Sequence, residues 1–311
     1  MSLSVDFIVD CGPTVGMGHL SRSKTLAHAL QARGAEVRLF ATDARDVRPD
    51  DTLRLEGLAD APAMSGDIVI VDGLLFSSEE VMRWRPADGL FVVLDDLGDR
   101  PVSCDVLVNQ NIYGDRLAYD GYDFTAALLG PEWALIKPEF ADARAGASRK
   151  HPRALLTFGG GVTGAIAVET ARLMASRFSG PIDVALGALS GVEAVNLPAN
   201  VTIYRDADMP TLMARATLYV GSLGVTFLEA LAAALPAIAV CVVDNQRIAL
   251  DAARDLGVRV FETPDPPAIA DIAVEALVAP TPLVLAQPDG RGAARTADAL
   301  LAALSRHRQK R

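Results

Sequence analysis

Short apolar runs rich in Val, Ile and Leu alternate along this chain with longer segments of helical spacing. Such alternation is typical of α/β domains that are built on parallel sheets. In the first half it predicts strands at Ser4–Asp10, Glu36–Ala41, Asp67–Asp72, Leu90–Leu94 and Cys104–Val108. The clearest helix is predicted at His19–Arg33, where apolar residues recur at helical spacing and Gly34 provides a stop.

The second half repeats this pattern. Strands are predicted at Arg153–Thr157, Ile182–Leu186, Val201–Tyr204, Leu218–Val220 and Ala237–Val240. Helices are predicted at Thr163–Phe178, Pro210–Arg215, Val225–Ala234, Gln246–Leu256 and Arg291–Arg306. Between the halves, the polar and unpatterned segment Ala141–Lys150 indicates a linker. We therefore expect an α/β protein of two Rossmann-like domains, residues 1–143 and 150–311, that face each other across a central cleft.

Composition excludes several classes of function. The chain of 311 residues has a net charge of -10, which argues against a general nucleic-acid binder, because such a protein needs a basic face. The three cysteines lie far apart and form no paired motif, so we expect a reducing, cytoplasmic location and no metal site. No signal peptide is recognisable, and the longest apolar stretches are too short to cross a bilayer.

A glycine-rich turn follows the first predicted strand and leads into the helix that begins at His19. Gly16 and Gly18 allow the backbone to approach a ligand closely, and the helix N-terminus favours an anion. His19 adds a side chain suited to acid/base chemistry near neutral pH. One alternative is a nicotinamide or flavin dinucleotide fingerprint, although Ser21 occupies the position of its third glycine. Another is a plain tight turn with a structural histidine.

A second turn of small residues precedes the predicted helix at Val225–Ala234. Its residues Ser222, Leu223 and Gly224 offer backbone N–H groups to a phosphate, and Thr226 and Glu229 share one helix face. A carboxylate in that position can accept hydrogen bonds from two ribose hydroxyls. Alternatively, Thr226 and Glu229 simply cap the helix. A third glycine-rich turn, Gly159–Gly161, has a flexible hinge as its alternative.

Polar residues also follow several predicted strands. These are Asp95 and Asp96, Asn109 and Asn111, and the run Asp244, Asn245 and Gln246. Each can bind sugar hydroxyls, and each can also stabilise a turn or cap a helix without touching a ligand. Basic side chains that could neutralise a pyrophosphate are Arg22, Lys24, Arg205 and Arg215.

Taken in chain order, the motifs are Gly16-x-Gly18-His19, Asp95-Asp96, Asn109-x-Asn111, Gly159–Gly161, Ser222-x-Gly224-x-Thr226-x-x-Glu229 and Asp244-Asn245-Gln246. This series resembles the nucleotide-sugar hydrolases of pseudaminic acid biosynthesis, which remove UDP from UDP-2,4-diacetamido-2,4,6-trideoxy-β-L-altropyranose. That family belongs to the GT-B fold group, together with the lipid II glycosyltransferase and the spore-coat polysaccharide proteins. The resemblance covers most of the chain.

The resemblance implies a role for each motif. His19 would be the general base that activates water at the anomeric carbon, with no metal or other cofactor. UDP, as part of the substrate, would bind at Gly160, Gly161, Ser222, Leu223, Gly224, Thr226 and Glu229. The sugar would contact Asp10, Gly16, Gly18, Asp95, Asn109, Asn111, Asn245 and Gln246.

The chain departs from the family pattern at three positions that concern sugar recognition and the surroundings of the base. Ile8 replaces an arginine, Leu74 replaces a tyrosine, and Val162 stands where the family has a polar residue before an acid. We therefore expect a hydrolase that inverts C1 of a UDP-activated acetamido-deoxy sugar. The alternatives are an inverting GT-B glycosyltransferase with a UDP-sugar donor and a non-catalytic nucleotide-sugar-binding protein.

Overall fold

The computed structural model describes residues 3–12, 15–43, 53–60, 64–145, 151–159, 163–187, 190–192, 196–205, 207–279 and 288–310. The chain divides into two compact units. The first unit combines Met1–Ile136 with Arg291–Arg311, and the second is the contiguous segment Lys137–Gly290.

The first unit contains a parallel sheet of seven strands in the order β3-β2-β1-β4-β5-β6-β7. The strands are β1 (Leu3–Val9), β2 (Ala35–Ala41), β3 (Arg54–Gly57), β4 (Ile68–Asp72), β5 (Leu90–Leu94), β6 (Ser103–Asn109) and β7 (Asp123–Leu129). Two helices of this unit are α1 (Gly18–Gln31) and α2 (Ser78–Arg83). The strand order reverses between β1 and β4, and ligands of such sheets bind beyond the carboxyl ends of the strands at this point.

The second unit has the same kind of sheet, with six parallel strands in the order β10-β9-β8-β11-β12-β13. The strands are β8 (Ala154–Thr157), β9 (Ile182–Leu186), β10 (Val201–Arg205), β11 (Leu218–Ser222), β12 (Ala237–Val240) and β13 (Arg259–Phe261). The helices are α3 (Glu139–Ala145), α4 (Gly164–Ala175), α5 (Met209–Arg215), α6 (Val225–Ala232), α7 (Leu250–Asp255) and α8 (Pro266–Val278). Its reversal of strand order lies between β8 and β11.

Burial explains why the central strands form where the sequence places them. Every residue of β4 and β5 is buried, as is every residue of β8, β9, β11 and β12. Helices cover both faces of a parallel sheet, so its inner strands are nearly continuous apolar runs. The same unbroken runs made these strands recognisable in the sequence.

The last helix, α9 (Gly292–Gln309), belongs to the first unit and not to the second, where the sequence placed it. Its buried residues Ala293, Ala297, Leu300 and Leu304 share one apolar core with Leu26 of α1. Arg33 Nε donates a hydrogen bond of 2.6 Å to the carboxylate of Asp298 beside this core. The small alanines on the buried face of α9 allow it to approach α1 closely.

The boundary between the units also differs from the expected one. The expected linker begins at Ala141, but helix α3 extends from Glu139 to Ala145 and lies within the second unit. The chain passes from one unit to the other at Ile136 and Lys137, and returns at Gly290 and Arg291. In residues 139–145 the alanines are separated by polar residues, so the helix has no strong apolar face. For this reason the sequence pattern did not predict a helix here.

Candidate active site

The loop after β1 brings His19 to the carboxyl edge of the first sheet. Gly12 and Gly16 pair through two backbone hydrogen bonds, of 3.2 Å and 2.7 Å, which narrow the loop at its base. Gly16 has φ +86°, in the left-handed region that favours glycine. Helix α1 then begins at Gly18, so His19 is its second residue and its side chain lies at the reversal of strand order.

Asp72, the last residue of β4, is the centre of this site. Its carboxylate is fully buried and accepts hydrogen bonds from His19 Nδ1 at 2.6 Å and from Ser23 Oγ at 2.8 Å. Arg22 donates to it twice, from Nε at 2.8 Å and from Nη2 at 2.5 Å. His19, Arg22 and Ser23 occupy one face of α1, because residues three and four apart lie on the same side of a helix.

The charges around Asp72 determine which nitrogen of His19 carries the proton. Burial acts to raise the pKa of Asp72, but the positive charge of Arg22 and the hydrogen bonds from Arg22 and His19 outweigh burial and hold that pKa well below its usual range. The ionised carboxylate can only accept hydrogen bonds, so Nδ1 of His19 must donate. Nε2 of the neutral ring is then left as a proton acceptor. Arg22 Nη2, at 3.0 Å from Nδ1, is a close contact between two donors.

Asp96 follows β5 and completes the cluster. Its Oδ1 accepts hydrogen bonds from Arg22 Nη1 and from Asn111 Nδ2, both at 2.7 Å. Its Oδ2 lies 3.9 Å from His19 Nε2. Burial acts to raise the pKa of Asp96, and the charge of Arg22 more than compensates, so the pKa is lowered. A guanidinium with a raised pKa, buried between Asp72 and Asp96, therefore holds two ionised carboxylates beside one imidazole.

Three residues predicted to contact the sugar make their hydrogen bonds inside the protein. Asp10 accepts from Thr42 Oγ1 and from the backbone N–H of Leu75. Asp95 accepts from the backbone N–H groups of Leu97 and Gly98 and from Tyr122 Oη. Buried Asn109 accepts from Asn111 and donates to the backbone carbonyl of Asp96. These contacts shape the loops around Asp96, and direct binding of a sugar by the three residues stays a prediction.

A cavity of about 250 Å³ lies beside Asp96 at the carboxyl ends of β4 and β5. Its lining includes Gly73, Leu74, Phe76 and Arg100. Leu74, one of the positions where the sequence departs from the hydrolase pattern that it resembles, therefore faces a space the size of a small ligand. Ile8, another of these positions, is fully buried in the apolar core instead.

In the second unit, the turn between β11 and α6 forms the corresponding edge. A Cβ on Gly221 would lie 2.1 Å from the carbonyl oxygen of Thr157, so only glycine lets β11 and β8 pack at this point. Gly224 is the residue before α6, and no side chain caps the helix there. A Cβ on Gly224 would meet nothing within 4 Å. The first N–H groups of α6 therefore have no side-chain cap, and uncapped N–H groups at a helix start are suited to binding a phosphate.

Glu229 lies one turn inside α6, too far from the start of the helix to form a capping box with Thr226. The capping alternative is therefore wrong for this pair. Burial raises the pKa of Glu229 to about 7, although the charge of Lys137 and a hydrogen bond from Thr226 act to lower it. A partly buried carboxylate that titrates near neutrality is a common property of ligand sites.

The remaining predicted residues of the second half have different positions. Asn245 is exposed in the segment after β12, and Gln246 accepts a hydrogen bond from the backbone N–H of Val242. Gly160, Gly161 and Val162 lie outside the described residues. Three of the arginines considered for a pyrophosphate have partners within the protein: Arg22 as above, Arg205 with the carbonyl of Val192, and Arg215 with Asp183 and Tyr204.

The sequence did not predict that two carboxylates lie beside His19. Asp72 was predicted only as the end of a strand, and Asp96 was named with Asp95 as a polar pair after a strand, with no link to His19. The sequence did show acidic residues at the ends of buried parallel strands, and this was the available signal. It did not show which strand pairs with β1, because local patterns do not give the strand order.

The described residues contain neither a membrane-spanning helix nor a cluster of metal ligands. None of their helices is both long enough and apolar enough to span a membrane. They contain no group of three or more His, Cys, Asp and Glu side chains arranged to hold a metal ion. The expectation that the reaction needs no metal or cofactor stays a prediction.

Solved structures of glycosyltransferases resemble the whole chain. UGT89C1 of Arabidopsis thaliana, complexed with quercetin, is 14% identical with a TM-score of 0.60 over 98% of both chains. SnogD of Streptomyces nogalater is 16% identical with a TM-score of 0.59 over 98% of this chain and 100% of its own. VinC in complex with dTDP is 15% identical with a TM-score of 0.57 over 99% of this chain and 100% of its own.

The chain has the GT-B fold. This confirms the fold that the sequence predicted. No protein-family model matches the chain, and no curated protein matches it. At these identities the likeness shows the fold alone, so the GT-B protein's reaction has to be argued from its own residues.

Proposed function

We propose that this GT-B protein is a nucleotide-sugar hydrolase that releases UDP from a UDP-activated acetamido-deoxy sugar with inversion at C1. The observation that carries the proposal is the hydrogen bond of 2.6 Å between His19 Nδ1 and Asp72, which leaves Nε2 as a base at the edge of the sheet. The pathway that contains this reaction would make a nonulosonic acid of the pseudaminic type or a surface polysaccharide. A cytoplasmic location fits the three unpaired cysteines, all of which are buried.

The reaction is a single displacement. The oxygen of water attacks C1 of the sugar while the bond between C1 and the phosphate oxygen breaks, and the electron pair of that bond leaves with UDP. One proton of the water passes to His19 Nε2, and the negative charge of Asp72 stabilises the imidazolium that forms. A general base of this kind contributes about 10²–10⁴-fold to the rate.

The second unit would bind the nucleotide. The N–H groups at the start of α6 would bind the diphosphate, and their partial positive charge would stabilise the departing UDP. Glu229, when ionised, would accept hydrogen bonds from the ribose hydroxyls. The uncapped helix start after Gly224 and the partly buried carboxylate support this assignment.

The second candidate is an inverting glycosyltransferase with the same base and the same donor. The similar structures favour it, because SnogD and VinC are described as glycosyltransferases and UGT89C1 has also been solved in complex with UDP. In this reaction His19 would deprotonate an acceptor hydroxyl instead of water.

One assay separates the candidates. The purified protein is incubated with a panel of UDP-sugars, UDP-N-acetylglucosamine among them, without any acceptor, and free UDP is measured. Hydrolysis predicts UDP release that His19→Ala abolishes while UDP binding persists. Binding without release in the wild type would contradict hydrolysis and leave a transferase or a non-catalytic binding protein. Glu229→Ala should weaken UDP binding under either reaction, and unchanged affinity would contradict the ribose assignment.

A further inference from the structure

Two proton acceptors lie near each other in the first unit but do not form a hydrogen bond with each other. His19 Nε2 and Asp96 Oδ2 are 3.9 Å apart, which is too long for a hydrogen bond. Because Nδ1 carries the ring proton, Nε2 can only accept. Oδ2 is the oxygen of Asp96 that neither Arg22 nor Asn111 occupies, since both donate to Oδ1.

We propose that Asp96 is a second catalytic residue, and that it holds the attacking water by accepting one hydrogen while His19 Nε2 accepts the other. The proposal rests on the hydrolase function above and assigns the nucleophile of that reaction. The proposal gives a role to the Asp96 carboxylate, which is 19% exposed and lies next to His19. This carboxylate contacts the buried Arg22 and also lines the same cavity as Leu74.

The geometry suits one water molecule. An oxygen placed about 2.8 Å from both Nε2 and Oδ2 would span their separation with an angle of about 90° at the oxygen. That angle is close to the angle between the two O–H bonds of water. A water that donates both hydrogens in this way has its lone pairs on the opposite side, where they can attack C1 of a sugar.

An alcohol cannot satisfy the same pair of acceptors. It has one hydroxyl hydrogen, so donation to His19 Nε2 turns a lone pair of its oxygen toward the negative charge of Asp96. The repulsion disfavours a sugar hydroxyl as nucleophile and favours water. Asp96 would therefore separate hydrolysis from glycosyl transfer on this fold.

The protons balance in the proposed step. The hydrogen that faces Nε2 passes to His19 as the new bond from oxygen to C1 forms. The hydrogen that faces Oδ2 remains on the oxygen and becomes the hydroxyl hydrogen of the released sugar. Asp96 begins and ends the step ionised, and His19 later returns its proton to the solvent.

The bonds to Oδ1 make Asp96→Asn a sharp test. Arg22 and Asn111 both donate, so the amide oxygen of the new side chain must take the place of Oδ1. The amide NH₂ group then takes the place of Oδ2 and presents a donor where the wild type presents an acceptor. A donor at this position suits an alcohol, which can accept from it while it donates to His19.

The experiment measures which nucleophile the enzyme uses in water that contains methanol, with the UDP-sugar that the panel identifies. We expect the wild type to form free sugar with little methyl glycoside. Asp96→Asn should lower the rate of hydrolysis by about 10–100-fold, which is the value of one hydrogen bond to a charged group, and should raise the methyl glycoside fraction. Asp96→Ala should raise that fraction too, because it removes the repulsion. Asp120→Asn, which changes an exposed carboxylate outside the lining of this cavity, is the control and should change neither quantity.

A methyl glycoside fraction that stays at the wild-type value in both Asp96 variants would overturn the proposal, even if His19→Ala confirms hydrolysis. A crystal structure of the wild type with UDP gives a test that is independent of turnover. It should show an ordered water within hydrogen-bond distance of both Nε2 and Oδ2, and Asp96→Ala should lose it. Hydrolysis without such a water contradicts the role of Asp96 alone, whereas the absence of UDP release contradicts the hydrolase function itself.

Discussion

At the scale of single residues, Asp72 determines the chemistry of the first unit. It is a fully buried carboxylate that accepts four hydrogen bonds, from His19, from Arg22 twice and from Ser23. A buried charge of this kind is tolerated only while its partners remain. The same contacts hold the imidazole in one orientation and one tautomer.

Replacing Asp72 by Asn should therefore lower turnover without loss of the fold. The amide keeps the shape of the side chain, but it no longer stabilises the imidazolium, and it can donate to Nδ1 and so favour the wrong tautomer. We expect kcat to fall by about 10²–10⁴-fold with little change in UDP affinity. Steady-state kinetics and calorimetric titration with UDP measure the two quantities. Asp72→Ala leaves the buried Arg22 with one carboxylate partner, Asp96, instead of two and should reduce stability by about 3–5 kcal/mol.

The raised pKa of Glu229 predicts two opposite effects of pH. The ribose needs the ionised carboxylate, so UDP affinity should decrease as pH falls below about 7, by up to about tenfold per unit. Stability should change the other way. The unfolded chain releases this proton near pH 4.5 and the folded chain near 7, so the contribution of Glu229 decreases as pH rises between these values.

Calorimetric titrations with UDP across this pH range measure the first effect, and thermal unfolding across the same range measures the second. Glu229→Gln is the control, because its neutral side chain removes the contribution of Glu229 to both dependences. A wild-type pH profile that matches the Gln variant would contradict the assignment of Glu229.

The sequence singled out His19 but did not predict the residues that contact it. His19 follows a glycine-rich turn, and such a local pattern is legible without any knowledge of the fold. Asp72 lies 53 positions away and reaches His19 only because β4 pairs with β1. Local spacing in the sequence does not reveal contacts that depend on strand order. For the same reason Asp95, and not Asp96, was predicted to contact the sugar.

At the scale of the elements, the interior strands were predicted to within one or two residues, whereas three strands were missed. β3, β7 and β13 lie at the edges of their sheets, and most of their described residues are half-buried or exposed. Edge strands lack the unbroken apolar run that burial on both faces requires, so composition distinguishes them poorly from loops. Helix α2 carried a readable signal, since Ser77 and Glu80 form a capping box at its start.

The turn between β11 and α6 offers a matched pair of glycine variants. Gly221→Ala would place a Cβ 2.1 Å from the carbonyl oxygen of Thr157, which forces β11 and β8 apart. Gly224→Ala meets no atom within 4 Å. We expect the first variant to lower the melting temperature strongly, and the second to leave it nearly unchanged while UDP affinity falls, because its methyl group obstructs the diphosphate. Thermal unfolding and UDP titration separate the outcomes, and full UDP affinity in Gly224→Ala would place the diphosphate elsewhere.

At the scale of the whole molecule, the first unit depends on a helix that the sequence assigned to the other unit. Leu300 of α9 is fully buried in the core that also contains Leu26 and Leu30 of α1. The sequence shows that α9 is amphipathic but not which core its apolar face joins. Only the tertiary structure gives that information, and for this reason the predicted domain boundaries differ from the observed units.

Leu300→Ala should therefore destabilise the unit that carries His19. Removal of a fully buried leucine side chain costs about 2–5 kcal/mol. Leu301→Ala, at the partly buried neighbouring position, should cost less and serves as the control. Hydrogen exchange followed by mass spectrometry locates the effect: faster exchange in α1 and β1 is expected. Faster exchange confined to residues 137–290 would contradict the assignment of α9 to the first unit.

The chain passes between the two units twice, and this affects the order in which the units can fold during synthesis on the ribosome. Residues 137–290 are contiguous, so the unit they form can fold as soon as they have emerged. The unit that starts earlier must wait for 292–309, with one side of its core uncovered in the meantime. The part synthesised first is thus finished last, and a stall late in translation would leave a complete second unit attached to an unfinished first unit.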